Sequence, residues 1–241
     1  MFNIEEFAEK IEKTIGEKFE NKNLLVEAFV HRSFINENKD FPISSNERLE
    51  FLGDAILEFV VTEFLFSKFP DKKEGELTTL RAALVNTESL YNTAEKLGFG
   101  KLILLSKGER ERQSEKAKKS IMADTFEAFL GALYLEKGPD KVKDFTKRNL
   151  LVKIDDIIEK KLYKDPKSLL QELVQERFSI TPSYKILEEW GPDHDKHFVA
   201  GVYINDRLIS KGEGTSKQEA ELEAARKALE NYNNLLSNNK L

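Results

Sequence analysis

Over residues 1–160, apolar positions recur every three or four residues, the spacing that keeps one helix face in the core. The pattern predicts helices over Ile4–Ile15, Leu24–Phe34, Asn46–Phe69, Leu77–Leu97, Ile121–Lys137 and Asp140–Lys160. The polar stretch "EKKLYKDPKS" then interrupts it. Beyond it the period changes. "KSLLQELVQERF" reads as one amphipathic helix, and "SYKILEEW", "KHFVAGVYIND" and "RLISKGEG" alternate as strands do. "SKQEAELEAARKALENYNNLL" closes the chain as a long helix, with Ser216 as its N-cap. The predicted architecture is multi-domain: an all-α domain (1–160), a linker (161–166) and a small α+β domain (167–241) of order α-β-β-β-α.

Two helices carry acids where a core is expected. At about 100° per residue, Glu47, Glu50, Asp54 and Glu58 of "NERLEFLGDAILEFVV" fall on one stripe. Leu49, Leu52, Ala55, Ile56, Phe59 and Val60 offer core surface on the other faces. No Lys or Arg is spaced along this helix to pair the stripe. Gly53 sits mid-helix, where it costs about 1 kcal/mol against alanine, so a close approach by another helix is expected there. "IMADTFEAFLGALYL" is more apolar still, and Asp124 and Glu127 are its sole charges. They are three apart, hence neighbours on one face. Acids on a buried helix take up protons unless a positive charge meets them.

Spacing alone leaves two readings open. The pairs meet around a cation, or they stay apart and are served by bases from elsewhere. Carboxylate oxygens without His or Cys suit a hard ion such as Mg2+, with Mn2+ as a substitute. Such an ion would activate water for phosphodiester hydrolysis.

Composition narrows the field. The chain has 241 residues and no cysteine, which excludes disulfides, thiolate metal sites and cysteine nucleophiles and favours a reducing compartment. No apolar run approaches membrane-span length, and the acidic N-terminus is unlike a signal peptide. A cytoplasmic protein without membrane partners is expected. The net charge of −5 argues against holding nucleic acid by bulk positive charge.

The run "NERLEFLGDAILE" resembles the signature of ribonuclease III, the bacterial-type double-stranded-RNA endonuclease. The resemblance continues through "HRSF" (His31–Phe34), "EGELTTLRAALV" (Glu74–Val85), "SIMADTFEAFLGALYL" (Ser120–Leu135) and the C-terminal domain. It implies a homodimer that cuts duplex RNA, one cut per subunit on opposite strands. The ends would be 5′-phosphate and 3′-hydroxyl with short 3′ overhangs, and the substrates ribosomal precursors and messenger RNA. Glu50, Asp124, Glu127 and Asp54 match the catalytic, metal-binding acids, with Glu127 the most critical to the metal. Glu47 and Glu74 match acids that line the RNA cleft, and Phe51 an aromatic that packs into the partner subunit. Glu58 matches no functional position and is read as solvated. Beyond the metal, no small-molecule cofactor is implied.

The C-terminal segment resembles a double-stranded RNA-binding domain. Gln171 and Glu172 match positions that reach one minor groove, His194 a second, and Lys217 the phosphates between them, a readout of A-form shape. Two departures stand out. Gln218 follows Lys217 where the family carries a second basic residue. Asp165–Leu241 holds 10 Lys and Arg against 13 Asp and Glu, a net of −3. Glu219 and Glu223 would have to face away from RNA. A third departure is the basic stretch Gly108–Ser120, read as a loop, which lacks the family's glycine pair. Two rivals to the endonuclease remain: a duplex-RNA binder whose first domain only dimerises, and a hydrolase of small phosphate esters.

Overall fold

The computed structural model describes residues 2–161, 163–192 and 195–230. The chain forms two units, Met1–Glu159 and Lys160–Leu241. The first is built from α1 (Ile4–Ile15), α2 (Lys22–Glu27), α3 (Arg32–Glu37), α4 (Glu47–Lys68), α5 (Glu74–Val85), α6 (Thr87–Lys96), α7 (Lys107–Arg112), α8 (Glu115–Asn149) and α9 (Ile154–Glu159).

Several predicted boundaries shift, each for a local reason. The helix expected over Leu24–Phe34 is two, α2 and α3. Val30 bridges Leu104 between them, and the His31 N–H donates to the Leu104 carbonyl. The span Leu77–Leu97 breaks at Asn86, whose side chain accepts from the Ser89 N–H at 2.9 Å and so starts α6. The stretch Gly108–Ser120 is largely helical, not a loop. Ser106 caps α7 and Ser114 caps α8, each accepting a backbone N–H three residues on. The break expected near residue 138 is a kink within α8, where Gly138 adopts φ 77 ahead of Pro139, and the helix expected over Asp140–Lys160 is interrupted after Asn149 and resumes as α9.

The core of this unit is aromatic. Phe29, Phe99, Phe126, Phe129 and Phe145 are all fully buried, and successive rings meet at 5.1–6.4 Å. Across it α4 and α8 cross at a pair of glycines. A Cβ on Gly53 would overlap the Glu127 carbonyl, and one on Gly131 the Leu49 carbonyl. Gly53 was legible as a close approach; Gly131 was not. The crossing also corrects the expected core face of α4. Leu49, Gly53, Leu57, Val60, Val61 and Leu65 are buried. Leu52 and Ile56 are only half-buried, Ala55 is exposed, and Phe59 is 58% exposed.

In the second unit, α10 (Pro166–Phe178) is followed by β1 (Ser183–Trp190), β2 (His197–Ile204), β3 (Arg207–Gly214) and α11 (Lys217–Glu230). The strands pair antiparallel in the order β1-β2-β3. This is the expected α-β-β-β-α order. The stretch read as a linker runs into the fold, because Asp165 caps α10 by accepting the Ser168 N–H at 3.0 Å. Ala220, Ala224, Ala225 and Ala228 are fully buried, small enough for α11 to lie close on β3. Ser216 caps α11 as expected, accepting the Glu219 N–H at 3.1 Å. No helix among the described residues is long and apolar enough to cross a membrane.

Alanine favours a helix over glycine by about 1 kcal/mol, but at the α4–α8 crossing the overlap should dominate. Gly131→Ala is expected to lower unfolding free energy by about 1–3 kcal/mol net in a urea melt. An unchanged or higher midpoint would mean the helices do not approach so closely.

Candidate active site

The start of α4 is pinned from beneath. Asn46 is buried, donates its N–H to the Val30 carbonyl at 2.8 Å, and turns its side-chain amide to the Ala28 carbonyl at 3.4 Å. Glu47 and Glu50 therefore stand in the first turn at a fixed height. On α8, every residue from Ile121 to Leu133 is buried except Asp124 and Glu127, which are half-buried. The glycine crossing brings the two helices' acids together.

Glu50, Asp124 and Glu127 each offer a carboxylate oxygen, and these three atoms lie within 4.8 Å of one another. Asp54 is exposed and stands outside the trio, yet it is close enough that its charge acts on Glu127. Burial first, then Asp54, Asp124, Glu50 and Glu58, push the Glu127 carboxyl up to about 8. Burial also raises Glu50, helped by Asp124 and Glu47 and opposed by Arg32. Asp124 is raised by burial, against a 3.4 Å hydrogen bond from the Ser120 hydroxyl and the charge of Arg32.

The acidic stripe is less bare of bases than the α4 sequence implies. Arg81 of α5 pairs with Glu58 at 2.9 Å, which corrects the solvated reading of Glu58. Arg32 of α3 approaches Glu47 at 3.6 Å. Neither closes on the trio. Glu74, at the start of α5, is exposed and accepts from Thr78 Oγ1 at 3.0 Å, outside the trio. Phe51 is 82% exposed, and Phe59 and Phe66 on the same helix are uncovered too.

The trio fits a hard divalent ion. It is all oxygen, burial raises each of its carboxyls above the usual range, and among the described residues none of the three is in an ion pair. Arg32, in the "HRSF" stretch and outside the expected site residues, stands close enough for its charge to act on Glu50 and Asp124.

In the second unit, Gln171 is exposed on α10. Glu172 is engaged within the unit by Lys164 and, at 3.5 Å, by Lys161, and the Lys164 hydrogen bond draws its carboxyl below the usual range. Lys217 is exposed at the start of α11, with its ammonium 5.9 Å from the Phe198 ring centre. His194 lies outside the described residues. The acids of α11 are largely spoken for. Glu219 folds back onto the Thr215 N–H at 2.8 Å, Glu221 pairs with Lys167 at 2.6 Å, and Glu223 with Arg226 at 2.7 Å.

An all-α domain of the endonuclease type, followed by an α-β-β-β-α double-stranded RNA-binding domain, defines the class. Residues 21–154 match the ribonuclease-III-like family and residues 166–232 the double-stranded RNA binding motif. The chain is 49% identical over 222 residues to Ribonuclease 3 of Geobacillus thermodenitrificans, covering 92% of this chain and 89% of that protein. It is 46% identical over 221 residues to Ribonuclease 3 of Nitratiruptor sp., covering 92% and 95%. Among solved structures, the nuclease domain of ribonuclease III from Campylobacter jejuni aligns with a TM-score of 0.52 at 43% identity, covering 58% of this chain and 94% of that one; its description refers to a region involved in dimer formation. The chain belongs to the ribonuclease III family.

The raised carboxyls tie stability to pH. Without metal the folded state holds protons that the unfolded chain gives up near pH 4.5, so stability falls as pH rises toward about 8. A divalent ion should relieve this. The melting-temperature gain from Mg2+ over EDTA is expected to be larger at about pH 8.5 than at about pH 6, and Glu127→Gln should shrink the difference. An Mg2+ effect independent of pH would contradict the trio as its site.

Proposed function

We propose that the protein is a divalent-metal-dependent endoribonuclease. It hydrolyses phosphodiester bonds of double-stranded RNA and leaves 5′-phosphate and 3′-hydroxyl ends with short 3′ overhangs. The convergence of Glu50, Asp124 and Glu127 from two crossing helices carries this reading. The trio holds Mg2+, or Mn2+ in its place. A bound ion supplies Lewis-acid polarisation of the phosphate and of the attacking water. Asp54, exposed beside Glu127, hydrogen-bonds water at the site and is free to take up its proton. Glu47 and Glu74 face the RNA near the cut.

The second unit supplies capture. Gln171, Glu172 and His194 reach minor grooves, and Lys217 meets phosphate. With Glu221 and Glu223 in ion pairs and Glu219 folded back onto Thr215, these acids are turned from the binding face. Gln218 forgoes one phosphate contact, so recognition leans on A-form shape. Two copies associate through the uncovered side of α4 around Phe51, giving one cut per subunit. The substrates are ribosomal precursors and messenger RNA in the cytoplasm.

Purified protein with long duplex RNA and Mg2+ is expected to yield short duplexes, and Glu127→Gln to slow cleavage roughly 100-fold or more. Duplex left intact by the parent, with a mobility shift persisting in EDTA, would favour a pure binder. Turnover of small phosphate esters with RNA untouched would favour the phosphoesterase.

Phe51→Asp is expected to shift the protein from dimer to monomer in sedimentation, because a charge replaces an anchor in an apolar contact. A dimer of unchanged stability would place the interface elsewhere.

A further inference from the structure

Arg32 has an unusual combination of position and freedom. It is the first residue of α3, and its side chain is 70% exposed. Its nearest carboxylate oxygen, on Glu47, is 3.6 Å away, beyond hydrogen-bond length. Among the described residues its guanidinium makes no hydrogen bond. Glu47, for its part, already accepts from Ser45 Oγ at 2.9 Å. An ion pair this loose and this exposed contributes little to stability, so pairing Glu47 is a poor account of why Arg32 is there.

Its placement is built. Val30 holds both the bridge to Leu104 and the hydrogen bond from Asn46 that starts α4. The His31 ring meets Ser33 Oγ at 2.8 Å, and Ser33 Oγ accepts the Ser106 N–H at 3.1 Å. The residues that fix the height of Glu47 and Glu50 thus also fix Arg32. Its charge acts on Glu50 and Asp124 and favours their ionised forms. An RNA phosphate approaching this group of acids meets repulsion, and Arg32 is a cation at its rim with donors to spare.

We propose that Arg32 is a phosphate clamp: its guanidinium grips non-bridging oxygens of the RNA backbone at the acid cluster and stabilises the charge that builds as the phosphodiester is attacked. The inference rests on the endoribonuclease reading. In that hydrolysis the water oxygen bonds to phosphorus, the bond from phosphorus to the 3′-oxygen breaks, and the 3′-oxygen leaves with a proton. Arg32 donates hydrogen bonds throughout and forms no covalent bond. The planar guanidinium suits two phosphate oxygens at once, which an ammonium cannot match.

The full-length parent, Arg32→Gln, Arg32→Lys, Glu47→Gln and the double variant Arg32→Gln/Glu47→Gln are compared on one duplex. The readouts are single-turnover cleavage in Mg2+, duplex binding in EDTA, and Mn2+ binding by calorimetry without RNA. Arg32→Gln is expected to cleave about 10- to 100-fold more slowly, with Arg32→Lys in between. Duplex affinity should change by less than about threefold, since most phosphate contacts lie elsewhere. Mn2+ should bind at least as tightly, because a competing positive charge is gone. Parent-like cleavage by the variants overturns the proposal. So does recovery in the double variant, which would make Arg32 only a neutraliser of Glu47, or a fall in Mn2+ affinity that matches the fall in rate. If Arg32→Gln does not fold, Arg32→Lys decides: cleavage at the parent's rate overturns the clamp. A parent that fails to cleave overturns the endoribonuclease reading itself, and this inference with it.

Discussion

The close crossing of α4 and α8 is the constraint on which the rest depends. Two backbones can meet at that distance only where neither helix carries a Cβ, and Gly53 and Gly131 supply the gap. Each glycine packs against a carbonyl beside an acid, since Gly53 faces Glu127 and Gly131 faces Leu49, the neighbour of Glu50. The contact that seals the core therefore also sets the spacing of the carboxylates. A helix pair held apart by ordinary side chains, at 8–10 Å between axes, would leave the same acids too distant to share an ion.

Electrostatics shows what the crossing costs. The protein can neutralise a buried acid when it needs to. Glu17 is only 6% exposed, and Lys141, Arg148 and Lys137 surround it at 3.0, 3.1 and 3.4 Å. Burial works to raise its carboxyl, but the hydrogen bonds from Lys141 and Arg148 outweigh it and hold the group below the usual range. Among the described residues the trio has no such ion pair, and only the more distant charge of Arg32 acts on Glu50 and Asp124. Burial and mutual repulsion leave Glu127 near 8. An acid cluster without such ion pairs, in a chain that surrounds its structural acid with three bases, is what supports the proposed cation site.

Much of this was legible in the residues. The three-residue spacing of Asp124 and Glu127 on an otherwise apolar helix reflects a real geometry, because that helix is buried on every other side. Gly53 announced a close approach. What stayed hidden were contacts between elements distant in sequence. Val30 pairing with Leu104 splits one predicted helix, and Arg81 reaching Glu58 supplies a base that the α4 sequence lacks. Asp54 shares the stripe with Glu50 yet stands outside the trio, a distinction that helix angles of tens of degrees do not resolve. Phe59 read as core yet is 58% exposed, because the apolar pattern of α4 does not say which of its faces is packed.

Glu50, Asp124 and Glu127 are proposed to form one cation site. Anomalous scattering from crystals of the protein soaked in Mn2+ tests it most directly. A single strong peak in contact with oxygens from all three side chains, lost in crystals of Glu127→Gln, is the expected result. A peak elsewhere, or density showing the trio closed on itself through shared protons at saturating Mn2+, would contradict it.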